Sequence, residues 1–197
     1  CVGAPYRGGA NVVWGAGYGL QRGPYFLKSG GPGSELWKST DAGGTWTEVR
    51  GNGFPETVKG RIGIAISLSS PDVMYTMVEA DTLPNAKKDP KVKAQKSPTG
   101  LYRSVDGGKT WEKVNDEDTR PLYYSQVRVT PDNPNRIFWS WMPVKLSNAC
   151  GKTAVNAPHG IHLDHKPRWL TQKDPTHIHA VAAASVDRFG VGGGGRF

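Results

Sequence analysis

The sequence predicts an all-β fold built from repeated units of four antiparallel strands. Three observations lead there. An eight-residue turn, "STDAGGTW" from Ser39 to Trp46, recurs as "SVDGGKTW" from Ser104 to Trp111. A second pattern alternates with it, a short strand, a Pro-bearing turn and another strand, in "IAISLSSPDVMY", "VRVTPDNPNRIF" and "RWLTQKDPTHIH". Finally, 26 Gly, 15 Pro and 7 Trp in 197 residues suit many short strands joined by tight turns.

The elements follow in order. "ELWKSTDAGGTWTEV" and "GLYRSVDGGKTWEKV" each read as a strand, a turn rich in Asp and Gly, and a second strand. "SNACGKTA" is a degenerate third turn. It keeps Ser147, Gly151 and Thr153 but has Ala149 for Asp and Ala154 for Trp. The turn serines Ser39, Ser104 and Ser147 are spaced by 65 and 43 residues, and the prolines Pro71, Pro134 and Pro175 by 63 and 41. Two independent series thus agree within two residues. The longer first interval fits an insertion between "VMYTMVE" and "GLYRS", a Lys-rich loop over 81–99. "SVDRFG" at Ser185 reads as a fourth, weaker echo of the turn. One complete unit is then "IAIS", "VMYTMVE", "GLYRS" and "TWEKV". Four strands in about 40 residues is the size of a β-propeller blade. The whole chain, 1–197, reads as one propeller-type domain of three to four blades. Residues 1–29 and 144–197 match the repeat poorly, so a partial propeller is expected. One blade cannot bury both of its faces and must stack on neighbours.

The S-x-D-x-G-x-T-W turn resembles the Asp-box, or BNR repeat, of sialidases, xyloglucanase-type glycoside hydrolases and sortilin-type receptors. "GGPGSELWKSTDAGGTW" and "GLYRSVDGGKTWEKVNDE" look most like exported bacterial proteins of the BNR-repeat, sortilin-like glycosyl hydrolase kind. The resemblance is strong from about Gly30 to Ser140. It implies that the turn is an outer structural device away from the active face. The residues agree with that role. Asp41 and Asp106 can accept amides of their own turn. Gly43 and Gly108 can supply positive φ. Ser39, Thr45, Ser104 and Thr110 complete the polar set, and Trp46 and Trp111 can cover the hairpin and lock it to the blade.

Candidate chemistry lies elsewhere. All five histidines fall in "HGIHLDHKPRWLTQKDPTHIH". His162, Asp164, His165, His177 and His179 would suit a divalent transition metal if the loop folds back on the strand. The resembling proteins carry an HxDHH loop at a similar place, and Lys166 stands here at its last His. The alternative is a polar connecting loop. Glycosidase chemistry needs two facing carboxylates. Glu79, Asp81, Asp116, Glu117, Asp118 and Asp164 are available, and spacing singles out no pair. Tyr123, Tyr124, Trp139 and Trp141 can stack on sugar rings or, alternatively, pack between blades. No P-loop, nucleophile elbow, CxxC or dinucleotide fingerprint is present.

Bulk properties narrow the partners. The net charge is +8, and much of it sits in "NAKKDPKVKAQK", which offers no aromatic to stack on a base and no Arg to fork onto a phosphate. Nucleic acid is therefore not an expected partner. No apolar run approaches the roughly 20 residues of a membrane helix. Cys1 and Cys150 allow one disulfide at most. The first residue is Cys, so the chain reads as a processed product or a fragment. The expected function is a secreted or cell-surface propeller that binds a glycan or peptide. A carbohydrate-active hydrolase of BNR type is the alternative. Self-association, or the remainder of a larger propeller, is expected to cover the open blade faces.

Overall fold

The computed structural model describes residues 11–80, 97–117, 125–140 and 144–156, and the backbone of strands at 165–170, 177–182 and 186–190. It is all-β, with no helix among the described residues. The first sheet holds β1 (Val13–Ala16), β4 (Leu36–Ser39) and β5 (Thr47–Glu48). A separate hairpin, β2 (Leu20–Arg22) and β3 (Leu27–Ser29), is inserted between β1 and β4. The second sheet runs β6 (Lys59–Ile66), β7 (Met74–Ala80), β8 (Gly100–Ser104) and β9 (Glu112–Asn115). The third runs β10 (Val127–Val129), β11 (Ile137–Trp139), β12 (Lys145–Ser147) and β13 (Val155–Asn156). The last holds β14 (His165–Leu170), β15 (His177–Ala182) and β16 (Val186–Gly190). Every pairing is antiparallel, and the second and third sheets are four-strand meanders.

The repeated turns are built alike. Ser39 Oγ accepts the Gly43 amide at 2.8 Å and donates to Asp41 at 2.7 Å. Ser104 does the same for Gly108 at 2.9 Å and Asp106 at 2.8 Å. Asp41 then accepts the Thr45 amide at 2.8 Å and its hydroxyl at 2.7 Å, as Asp106 does for Thr110 at 2.9 and 2.6 Å. The degenerate turn keeps half of this device. Ser147 Oγ accepts the amides of Ala149 and Gly151 at 3.1 and 3.0 Å, but no carboxylate stands at 149. All three turns place two successive residues at positive φ: Ala42 and Gly43 (59° and 97°), Gly107 and Gly108 (68° and 78°), Cys150 and Gly151 (56° and 88°).

The two sequence series meet at these turns. The first positive-φ residue donates its amide to the carbonyl of Asn11, Asp72 or Asn135, at 2.7, 3.0 and 3.1 Å in turn. Asp72 and Asn135 follow Pro71 and Pro134 directly. In the second and third sheets the Pro turn is therefore hydrogen-bonded to the serine turn of its own sheet.

"SVDRFG" departs from the pattern. It forms strand β16, paired with β15, rather than a turn. Phe189 stands where the other turns have glycine, and a bulky residue resists positive φ there. The first strand of the second sheet also begins earlier than "IAIS", at Lys59. The inserted loop falls between β7 and β8 as its spacing requires, and residues 81–96 lie outside the described residues.

Side chains of the first three sheets fill two cores. Trp14, Leu36 and Phe54 from the first unit pack on Ile62, Met74, Val78, Tyr102 and Trp111 of the second sheet. Trp14 meets Trp111 edge-on, with centroids 6.3 Å apart, and Phe54 lies 5.5 Å from the same ring. On its other face the second sheet gives Ala65, Tyr75, Met77 and Leu101 to a core shared with Val127, Val129, Ile137 and Trp139 of the third. The two turn tryptophans differ in burial. Trp111 is 5% exposed, whereas Trp46 is 41% exposed. Trp46 donates Nε1–H to the Gly43 carbonyl at 3.1 Å and rests over Gly15.

Candidate functional site

A four-strand meander has two unlike ends. Its first and third turns share one end. Its second connection and its exit to the next sheet share the other. The serine and Pro turns occupy the first end, where their polar groups serve one another. Longer segments gather at the opposite end: hairpin β2–β3, the start of β4, the end of β7 and the start of β6.

A polar cluster bridges the first and second sheets at this end. Glu79 Oε2, near the end of β7, accepts the Ser29 hydroxyl at 2.6 Å and the Arg61 amide at 3.0 Å. Gly60 makes room for it, because a Cβ there would stand 2.1 Å from Glu79 Oε2. Lys59, only 3% exposed, places Nζ 2.6 Å from Glu35 Oε2. The contact is too bent for a hydrogen bond at that oxygen, so it is an ion pair, and Nζ also donates to the Thr57 carbonyl at 3.3 Å. Glu48 lies beside them. Its carboxyl is held below the usual range chiefly by a hydrogen bond from Arg50, at 2.6 Å. The Gly31 amide donates to the Lys59 carbonyl at 3.2 Å and ties the hairpin's exit to the second sheet.

Beside this cluster the hairpin presents apolar rings to solvent. The Gly23 amide donates to the Phe26 carbonyl at 2.9 Å and closes a tight turn around Pro24 and Tyr25. Tyr25 is 99% exposed and Phe26 60% exposed, and Leu20 and Leu27 are exposed beside them. The Tyr18 hydroxyl meets Ser29 Oγ at 3.1 Å, which links the aromatic surface to Glu79. Carboxylates, a hydroxyl and open aromatic faces thus share one end. That combination can hydrogen-bond and stack on a sugar or a peptide. The hairpin is not among the elements expected from the sequence. Its signal is nonetheless present in "YGLQRGPYFLKS", where Gly-Pro separates two short apolar-polar runs.

The positions expected from sequence fall as follows. The serine-turn residues stand at the other end. Trp139 is fully buried between the second and third sheets. There the packing alternative applies, and its ring is not open to a ligand. Tyr123, Tyr124 and Trp141 lie outside the described residues, as do His162, Asp164, Asp81 and Asp118. His165 stands in β14 opposite Ala182, and His177 and His179 stand in β15 opposite Gly190 and Arg188. His165 is therefore three residues along the ladder from His179, about 10 Å by strand rise. Among the described residues no group of three His, Cys, Asp or Glu is placed to hold a metal. Asp116 pairs with Lys113 at 2.6 Å, and Glu117 pairs with Lys145. Cys150 is a free thiol that donates to Asn135 Oδ1, and Cys1 lies outside the described residues. No helix among the described residues is long and apolar enough to cross a membrane.

No protein-family model matches the chain, and no curated protein matches it in sequence. Solved structures are similar in fold. YCF48 bound to D1 peptide aligns with a TM-score of 0.53 at 10% identity, over 95% of this chain and 52% of that one. The GH74 enzyme of Niastella koreensis aligns at 0.55 and 16% identity, over 92% of this chain and 27% of that one. An ancestral GH74 enzyme aligns at 0.52 and 15% identity, over 89% and 23%. These likenesses show the fold alone. The chain is a partial β-propeller and spans about half the length of the first of these proteins and about a quarter of the second.

Proposed function

We propose that the chain belongs to an Asp-box, BNR-repeat propeller that acts outside the cell and binds a glycan or peptide at its hairpin end. The observation that carries this reading is the open aromatic surface of Tyr18, Tyr25 and Phe26, coupled through Ser29 to Glu79. Tyr25 and Phe26 share the hairpin with exposed Leu20 and Leu27, and an exposed apolar surface of several such residues is the kind that marks an interaction site. The matched YCF48 structure holds a peptide, which favours a peptide as the first ligand class to try. A glycan array and a peptide array on the intact chain test the proposal. A hit whose affinity falls about tenfold or more in Tyr25→Ala, about 1.4 kcal/mol or more, supports it. Hits untouched by Tyr25→Ala and Phe26→Ala would place binding elsewhere.

The second reading is a carbohydrate-active hydrolase. Glu35, Glu48 and Glu79 share the hairpin end, and the likeness to GH74 enzymes adds support. A polysaccharide hydrolysis screen decides it. Release of reducing ends that is lost in Glu79→Gln with folding retained favours catalysis. Binding without turnover favours the first reading.

A further inference from the structure

Pro71 and Pro134 align the second sheet with the third. Gly63, Ala65, Tyr75 and Met77 then correspond to Gln126, Arg128, Phe138 and Ser140. The ladders agree. Gly63 stands opposite Met77 and Ala65 opposite Tyr75, as Arg128 stands opposite Phe138. The Ser140 amide donates to the Gln126 carbonyl at 2.9 Å and carries the third sheet's ladder one pair further. The chemistry differs. Ala65, Tyr75 and Met77 belong to the apolar core between the second and third sheets. On the corresponding face of the third sheet, Gln126, Arg128 and Ser140 stand in place of glycine, alanine and methionine. Directly opposed Cβ atoms lie about 5 Å apart and diagonal ones about 7 Å, so the three polar side chains share one patch.

This patch is poorly provided for by the chain. Among the described residues, Ser140 Oγ and Gln126 Oε1 are buried without a hydrogen-bond partner, and Ser140 is 1% exposed. Arg128 is half-buried, and burial lowers its pKa from the ordinary arginine value. It donates to the Val127 carbonyl at 2.9 Å, and among the described residues no carboxylate pairs with it. Buried polar atoms without partners cost stability, and the second sheet shows that an apolar set suffices at these positions. We propose that Gln126, Arg128 and Ser140 bind the carboxyl terminus of a peptide. The guanidinium and the Ser140 hydroxyl donate to the two carboxylate oxygens, and Gln126 Oε1 accepts the N–H of the terminal residue. An acidic sugar is a poorer occupant, because it brings several hydroxyls for which the trio has no group left. The inference rests on the third sheet and is independent of the ligand at the hairpin.

The test is thermal melting of the full chain in N-acetylglycinate, a minimal peptide terminus. N-acetylglycinamide is the control, with sodium chloride added to equal ionic strength. The melting temperature should rise with N-acetylglycinate and not with the amide. Arg128→Met should abolish the rise. Arg128→Lys keeps the charge without the planar fork and should reduce it, and it is read alone if Arg128→Met fails to fold. Glucuronate supplies the sugar-acid arm, and a rise with glucuronate but none with N-acetylglycinate overturns the proposal. No rise with either also overturns it, and leaves Arg128 to a carboxylate of the chain itself. An equal rise with the amide, or one that persists undiminished in the Arg128 variants, overturns it as well.

Discussion

Asp106 gathers four donors of its own turn: the amides of Lys109 and Thr110 and the hydroxyls of Ser104 and Thr110. These bonds hold its carboxyl well below the usual range, with the Thr110 hydroxyl the largest cause. Asp41 is held at about 2, chiefly by the Thr45 amide. Both folded values are depressed, so the stabilisation is complete above the unfolded value of about 4 and is lost as pH falls toward 2. Thermal melts of the chain and of Asp106→Asn should therefore differ at neutral pH and converge in acid. The third turn supplies the converse. Ala149→Asp gives Ser147 and Thr153 the missing acceptor, and chemical denaturation should show a gain of about 0.5–1.5 kcal/mol. A loss would mean that the positive-φ pair alone defines the turn. The sequence states this device openly, because each role in it demands a particular residue type. The same demand explains why "SVDRFG", which reads as a weaker echo of the turn, forms a strand instead: Phe189 stands where the glycine is required.

The strand and its connections carry the candidate site. Lys59 and Glu35 form an ion pair that is nearly withdrawn from water. Removing one partner leaves the other charge buried, so Lys59→Ala should cost about 3 kcal/mol or more in a denaturant titration. The double variant Lys59→Met with Glu35→Leu should recover most of that loss. If it does not, the loss comes chiefly from packing of the lysine stem. At Gly60, substitution by Ala should displace Glu79 from Ser29 and the Arg61 amide. The melting temperature should fall as a result. None of this was legible in sequence. The ion pair joins residues 24 positions apart in different sheets, and Glu79 meets Ser29 only because a hairpin returns the chain to β6. The hairpin's aromatic residues lie outside the repeat, so the repeat gives no sign of them.

At the scale of the molecule, sheets cohere through side chains contributed by the unit before. Trp111→Ala removes a ring held by Trp14 and Phe54 and should cost about 3–5 kcal/mol, whereas Trp46→Ala removes a half-open ring and should cost about 1 kcal/mol. The sheet meander and its stacking were legible because four strands per unit leave two apolar faces. The identity of the working end was not. Topology alone separates the tight turns from the long connections, and the turns are the part that sequence makes conspicuous. The central claim is that the conspicuous end stabilises and the inconspicuous end binds. Its most direct test is one affinity titration and one thermal melt, run in parallel on Asp106→Ala and Tyr25→Ala with a ligand found by array. Asp106→Ala should show a lowered melting temperature with near-normal affinity, and Tyr25→Ala the reverse. Lost affinity at an unchanged melting temperature in Asp106→Ala would contradict the claim.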